Sequence, residues 1–192
     1  MRGKNPPPMI IHDMDTIIRF RHSLHLLPEE SGREVETSSR VAEFISARRP
    51  DELITGISGT GLAAIFDGKA AGPVTCIRCE LDAVSLPDPE STEKSNPLRS
   101  CSHACGHDGH MAIVAGIAAA LSSHPVAKGR VVLLFQPSEE NGRGAAAVLS
   151  DPRFIETGID RIFGFHNIPG APEGAVLVKN GIFASASVAL GL

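Results

Sequence analysis

Residues His103 to His110 read HACGHDGH, which places three histidines, a cysteine and an aspartate in one short run broken by two glycines. Thiolate and imidazole are ligands for zinc, an ion that accepts nitrogen, sulfur and carboxylate oxygen. Cys105 and His107 flank a glycine, whose backbone freedom allows both side chains to be turned toward one point. A second chemical group is FQPSEEN, in which Glu139 and Glu140 follow an apolar run. One carboxylate can fix an ion while its neighbour takes a proton from water, the division of labour of a metal hydrolase. His166, in GFHNIPG, offers a further ligand. Taken singly, paired glutamates after a strand also suit a solvated acidic turn, and a lone histidine suits a hydrogen-bonded structural role. The chemistry depends on the three segments converging.

A rival grouping joins Cys76 and Cys79 to Cys101 and Cys105 as a four-thiolate structural zinc site. VTCIRCEL reads as a strand, however, and residues three apart on a strand face opposite sides. Cys76 and Cys79 are therefore expected to be small core residues.

The elements that must position these groups alternate between helix and strand. DMDTIIRFRHSLHLLPE spaces Ile17, Ile18, Leu24 and Leu27 as a helix and is stopped by Pro28; a second helix is predicted over REVETSSRVAEFISARR. GLAAIF, PVTCIRCEL and RVVLLFQ read as buried strands and RIFGFHN as another strand. Between them lie DGHMAIVAGIAAALSSH, a helix that Asp108 can cap, with Met111, Val114, Ile117, Ala118 and Leu121 turned inward, and GRGAAAVLSD, a shorter helix. AVSLPDPESTEKSNPLRS is polar and proline-broken, a long loop. This alternation predicts an α/β fold, a mostly parallel sheet with helices on both faces. Ligands of such sheets lie beyond the carboxyl ends of the strands, where Asp82, Glu139, Glu140 and His166 all fall.

The chain has 192 residues, 42% hydrophobic and 21% charged, with a formal net charge of -4, the make-up of an ordinary globular protein. Scattered Lys and Arg give no continuous basic face, which argues against nucleic acid as a partner. MAIVAGIAAAL is shorter than the roughly 20 residues that span a bilayer, and MRGKNPPPMIIHDMD has no apolar signal core. No membrane association and a cytoplasmic location are expected, with the four cysteines kept reduced.

RFRHSLHLLPE, ELDA, SHACGHDGHMA, VVLLFQPSEE and GFHNIPGAPEGAVLVKNGIFASAS, taken in order, resemble the signatures of the metal-dependent amidohydrolases. That family includes hippurate hydrolase, N-acyl-amino-acid amidohydrolase and the auxin-conjugate hydrolases, relatives of aminoacylase and carboxypeptidase. The resemblance runs from about Arg21 to Ser187. It implies a di-metal hydrolase catalytic domain that cleaves the amide bond of a small N-acyl amino acid with two divalent ions, zinc or manganese. It also implies metal ligands Cys105, His107, Glu140 and His166, Glu139 as general base, and supporting or capping roles for Asp82 and Asp108. His103 and His110 lie near the site without an assigned role.

The chain departs from the family at two places. Glu80 stands where the family usually has Asp, and DAVSLP is one residue longer than the usual DALP. Family enzymes are about twice this length, with an inserted lid and then a last metal-binding histidine. The expected organisation is a tail over residues 1–15, the N-terminal part of the catalytic domain over 16–183 and the start of the lid over 184–192. Such a part is expected to turn over weakly or not at all alone; the alternative is a non-catalytic metal- or partner-binding remnant. A homo-oligomer is compatible with the sequence.

Overall fold

A computed structural model describes residues 14–86 and 101–182. Its centre is a five-stranded sheet of β1 (Glu52–Ile57), β2 (Gly61–Asp67), β3 (Val74–Glu80), β4 (Arg130–Gln136) and β5 (Arg161–Gly164), in the order β1-β2-β4-β3-β5. β3 pairs in parallel with both β4 and β5, whereas β2 is antiparallel to β1 and β4. The α/β class is as expected, and the sheet is mixed where a mostly parallel one was expected. The difference comes from β2, which runs against both its neighbours, and from β1, which the sequence reading did not identify. Its apolar residues are interrupted by Thr55 and by Gly56 at φ 72°, where the ladder shifts register. A tight connection then folds β2 back on it, as short hairpin connections require.

Helices cover both faces. α1 (Met14–His25), α2 (Val35–Ser46) and α3 (His107–Ser123) lie on one side; α4 (Gly144–Leu149) and the short α5 (Pro152–Ile155) lie on the other. α3 is apolar nearly all round because it is sandwiched, burying Met111, Val114, Ala115 and Ala118 against Leu133 and Phe135 of β4 and Leu24 of α1. α1 uses Phe20 and Leu24 as its buried pair, and Phe20 stacks on Phe44 at 4.0 Å; Ile18, expected inside, is exposed. α1 also begins at Met14, inside the stretch read as a tail. Cys76 and Cys79 fall in different core clusters on opposite faces of the sheet, as the strand reading requires, so they cannot close on one ion.

Most of the expected long loop (87–100) and the segment 184–192 lie outside the described residues. The ends of that loop are tied together: Val84 and Ser102 exchange backbone hydrogen bonds of 3.0 and 2.9 Å. Because β3, β4 and β5 run in parallel, their carboxyl ends share one rim, and the chain passes from each into a polar segment there.

Candidate metal centre

The rim gathers residues that are far apart in sequence. Leaving β3 at Glu80, the chain places Asp82 beneath the start of α3. The turn before α3 passes through Gly106 at φ 93°, a conformation that favours glycine, and delivers Cys105 and His107 to the same side. After β4 the chain turns sharply at Ser138, a non-glycine residue at φ 54°, and presents Glu139 and Glu140. That turn needs Gly144, because a Cβ there would lie 1.7 Å from the Pro137 carbonyl oxygen. β5 then supplies His166.

Among the described residues, possible ligand atoms meet in three overlapping groups with His107 in common, one of them the buried Glu80/His107/His110 and the other two formed by the residues expected from sequence. In each of Cys105/His107/His166 and His107/Glu139/Glu140, one ligand atom per residue lies within 4.8 Å of the others. Cys105 Sγ is 3.3 Å from His166 Nε2. His107 Nε2 is 3.6 Å from Glu140 Oε1 and 3.8 Å from Glu139 Oε2. All five residues expected from sequence as ligands or base are thus together. Both glutamates approach the same imidazole.

Both histidines are oriented from behind. His107 Nδ1 donates to the Asp82 backbone carbonyl at 2.7 Å, and His166 Nδ1 donates to the Asn167 carbonyl at 2.7 Å. Each ring is thereby turned with its Nε2 toward the cluster, the orientation a metal-binding histidine needs. His107 Nε2 is buried, has no hydrogen-bond partner and faces two carboxylates. A buried nitrogen and two carboxylates converging without hydrogen bonds between them suit a cation held at their centre. The thiol points the same way: burial and then the hydrogen bond and charge of Glu140 push Cys105 up to about 12. A sulfur so placed is a thiolate only beside a cation. The donor set of sulfur, two nitrogens and carboxylate oxygens fits zinc-type chemistry. Glu139 is raised above the usual carboxylate value, chiefly by burial and then by the charge of Glu140.

The supporting residues differ from expectation in one respect. Asp108 does not cap α3, whose N-cap is Gly106. Its carboxylate is buried and instead accepts from Arg21 Nε at 3.1 Å and bonds His25 Nδ1 at 3.0 Å, locking α1 to α3 beneath the site. Asp82 Oδ2 accepts from Ser31 Oγ at 2.6 Å and from the Glu140 backbone N–H at 2.9 Å, so one carboxylate ties the β3 and β4 rims together.

Sequence reading did not single out Glu34. It is fully buried and accepts from Gly32 N, Ser138 N and Thr60 Oγ1 at 2.7, 2.8 and 2.6 Å. It thereby fixes the turn that carries Glu139. His110, placed near the site from sequence without a role, has partners: Nδ1 lies 2.9 Å from Glu80 Oε2 and Nε2 2.8 Å from Asn167 Oδ1. Burial opposes charge on this pair, yet the Glu80 hydrogen bond raises His110, and the His110 hydrogen bond with the Arg78 charge lowers Glu80; they form a buried ion pair. His103 is buried, and neither ring nitrogen has a hydrogen-bond partner. The signal for the His25 and Asp108 contact was present in RFRHSLH and GHDGH, but only as residues without a known partner.

Comparison with known proteins places this geometry. Residues 76–184 match the sequence profile of peptidase family M20/M25/M40. N-acetylcysteine deacetylase of Bacillus subtilis is 35% identical over 166 residues, covering 86% of this chain and 43% of that protein. N-acetyldiaminopimelate deacetylase of Listeria innocua is 30% identical over 175 residues, 91% of this chain and 47% of that protein. The crystal structure of Bacillus subtilis YXEP, described as a dinuclear metal binding peptidase from the M20 family, aligns with a TM-score of 0.72 at 34% identity. That alignment covers 82% of this chain and 44% of the other. The chain thus spans less than half the length of these relatives.

Proposed function

The chain belongs to peptidase family M20/M25/M40, and from that premise we propose that it carries the metal-binding and proton-transferring residues of an amidohydrolase acting on N-acyl amino acids or amino-acid conjugates. The observation that carries this reading is the buried, unpartnered His107 Nε2 facing Glu139 and Glu140 beside the Cys105/His166 pair. The relatives named as deacetylases of N-acetylcysteine and N-acetyldiaminopimelate support a small N-acetyl amino acid as substrate. The site's thiol suits a reducing compartment such as the cytoplasm.

Cys105, His107, Glu140 and His166 would hold two divalent ions, zinc or manganese. When bound, such ions polarise a scissile carbonyl and acidify a water molecule. The chain's own contribution is geometric and protonic. Asp82 and Asn167 hold the two imidazoles in the tautomer that leaves Nε2 open. Glu139, with its proton affinity raised by burial, accepts the proton of the attacking water as its oxygen bonds to the amide carbon. As the C–N bond breaks, Glu139 returns that proton to the departing nitrogen, leaving a free carboxylic acid and an amine. Asp82 keeps Glu140 in place through its backbone N–H, so the ligand and the base are set by different contacts.

The 192 residues alone are expected to turn over slowly. His166 is exposed, and all four residues of β5 are exposed, so the described residues leave one side of the site open to water. The deciding experiment measures bound zinc or manganese and release of acetate from N-acetyl amino acids, for the protein and for Glu139→Gln. Metal binding with slow hydrolysis, and loss of hydrolysis with metal retained in the variant, is the expected outcome. Metal without turnover in the parent protein would favour a non-catalytic binder, and absence of metal binding would overturn the reading.

A further inference from the structure

A buried polar chain runs behind the site and ends one residue from His166. Arg78 of β3 pairs with Glu80, and Glu80 Oε2 lies 2.9 Å from His110 Nδ1. His110 in turn places Nε2 2.8 Å from Asn167 Oδ1. The far end of the chain lies close against Gly106. A Cβ on Gly106 would lie 2.6 Å from Asn167 Oδ1 and 3.2 Å from its Cγ, so the amide is seated against the bare backbone of the turn that carries Cys105. Asn167 also supplies the carbonyl that accepts from His166 Nδ1 at 2.7 Å. The His110 and His166 rings meet edge to face with centroids 4.7 Å apart.

These contacts give one residue two functions that its exposed loop would otherwise lack. The segment after β5 is exposed from His166 onward, and few apolar contacts restrain it. An exposed segment keeps its rotational freedom unless specific bonds remove it. We propose that Asn167 is a positioning residue: its side-chain amide, held by His110 over Gly106, fixes the backbone carbonyl that locks the ring and tautomer of His166 opposite Cys105. Glu80 acts at one remove. Its carboxylate, on a side chain one methylene longer than aspartate, sets the His110 ring at the depth Asn167 meets. The inference rests on the reading that Cys105 and His166 share an ion, but the locking of His166 does not require the ion.

Two measurements on the intact chain separate the two. In metal-free protein, long-range ¹H–¹⁵N correlation reads the protonated nitrogen of His166. The parent protein is expected to show Nδ1–H alone; Asn167→Ala should show a mixture of tautomers, and Asn167→Asp, which keeps an acceptor for His110, should restore the single form. In a cobalt titration followed by the thiolate charge-transfer band, Asn167→Ala should bind about 10-fold more weakly or worse, the usual cost of losing a partner that orients a ligand. Asn167→Asp should recover most of that loss. An unchanged His166 tautomer in Asn167→Ala overturns the proposal, even where cobalt binds the parent protein. A parent protein without the thiolate band refutes the shared ion, while the tautomer comparison still decides the role of Asn167.

Discussion

His107 turns its Nε2 to within 3.6 Å of Glu140 Oε1 while its Nδ1 is held 2.7 Å from the Asp82 carbonyl. The ring cannot rotate away without breaking a buried hydrogen bond, so Nε2 faces the carboxylate in the folded state. A divalent ion held between them would favour the folded chain, where the ligands are already gathered. Zinc at about 100 times its dissociation constant should therefore stabilise the protein by about 2.7 kcal/mol. For a domain of this size that is a rise in melting temperature of roughly 5 to 10 °C. Chelator should reverse it, and His107→Ala should abolish it. A melting temperature indifferent to zinc in the parent protein would remove the basis for a metal centre.

Glu34 has no contact with the ligand atoms, yet its carboxylate accepts from the Ser138 N–H at 2.8 Å and so holds a residue at φ 54°. Glu34→Ala leaves three part-buried donors without their acceptor, those of Gly32, Ser138 and Thr60. The expected loss is about 3 to 5 kcal/mol by urea denaturation, on the scale of breaking a buried charged network. Glu34→Gln keeps an acceptor for the backbone and should cost about 1 kcal/mol. Equal losses for the two variants would mean that volume, not hydrogen bonding, is what Glu34 contributes.

What could be read from sequence was what one segment shows by itself. The apolar runs of β2, β3 and β4 and the apolar helix after His107 announce themselves, and glutamates at the end of RVVLLFQ mark a strand rim. β1 was missed because Thr55 and Gly56 break its alternation, although its register against β2 is well defined in three dimensions. Asp108 was expected to cap α3 because an acid at a helix start usually does so; the left-handed Gly106 takes that position, and Arg21 and His25 claim the acid. Glu34 and Asn167 look like ordinary polar residues at the ends of a helix and a strand until Ser138 and His110 are brought against them. Contacts across 104 and 57 residues of sequence leave no local mark.

The opposed positions of Cys76 and Cys79 make a sharp prediction about metal content. Cys76 belongs to the core beneath α4 and α5, Cys79 to the core beneath α1 and α3, and burial pushes the Cys76 thiol up to about 12. Replacing both by Ala should leave zinc stoichiometry unchanged while lowering stability by about 1 to 2 kcal/mol through lost packing. Cys105→Ala should do the reverse, weakening metal with little effect on the metal-free fold. Loss of zinc in the Cys76/Cys79 double variant would restore the four-thiolate alternative.

His103 makes the metal-free protein sensitive to acid. Burial lowers its pKa from 6.5 to about 4, helped by the charges of His107 and His25 and opposed by Asp108. The folded value lies below the unfolded one, so as pH falls the unfolded chain takes up the proton first. The contribution is intact above pH 6.5 and is lost progressively down to about pH 4, where it amounts to about 3 kcal/mol. Denaturation in chelator between those limits should show stability falling with a slope approaching one proton. His103→Asn, which cannot titrate, should flatten that limb of the profile whatever its stability at neutral pH. If the slope survives in the variant, the proton taken up on unfolding belongs to another group, and His103 is not held neutral by its burial beneath the site.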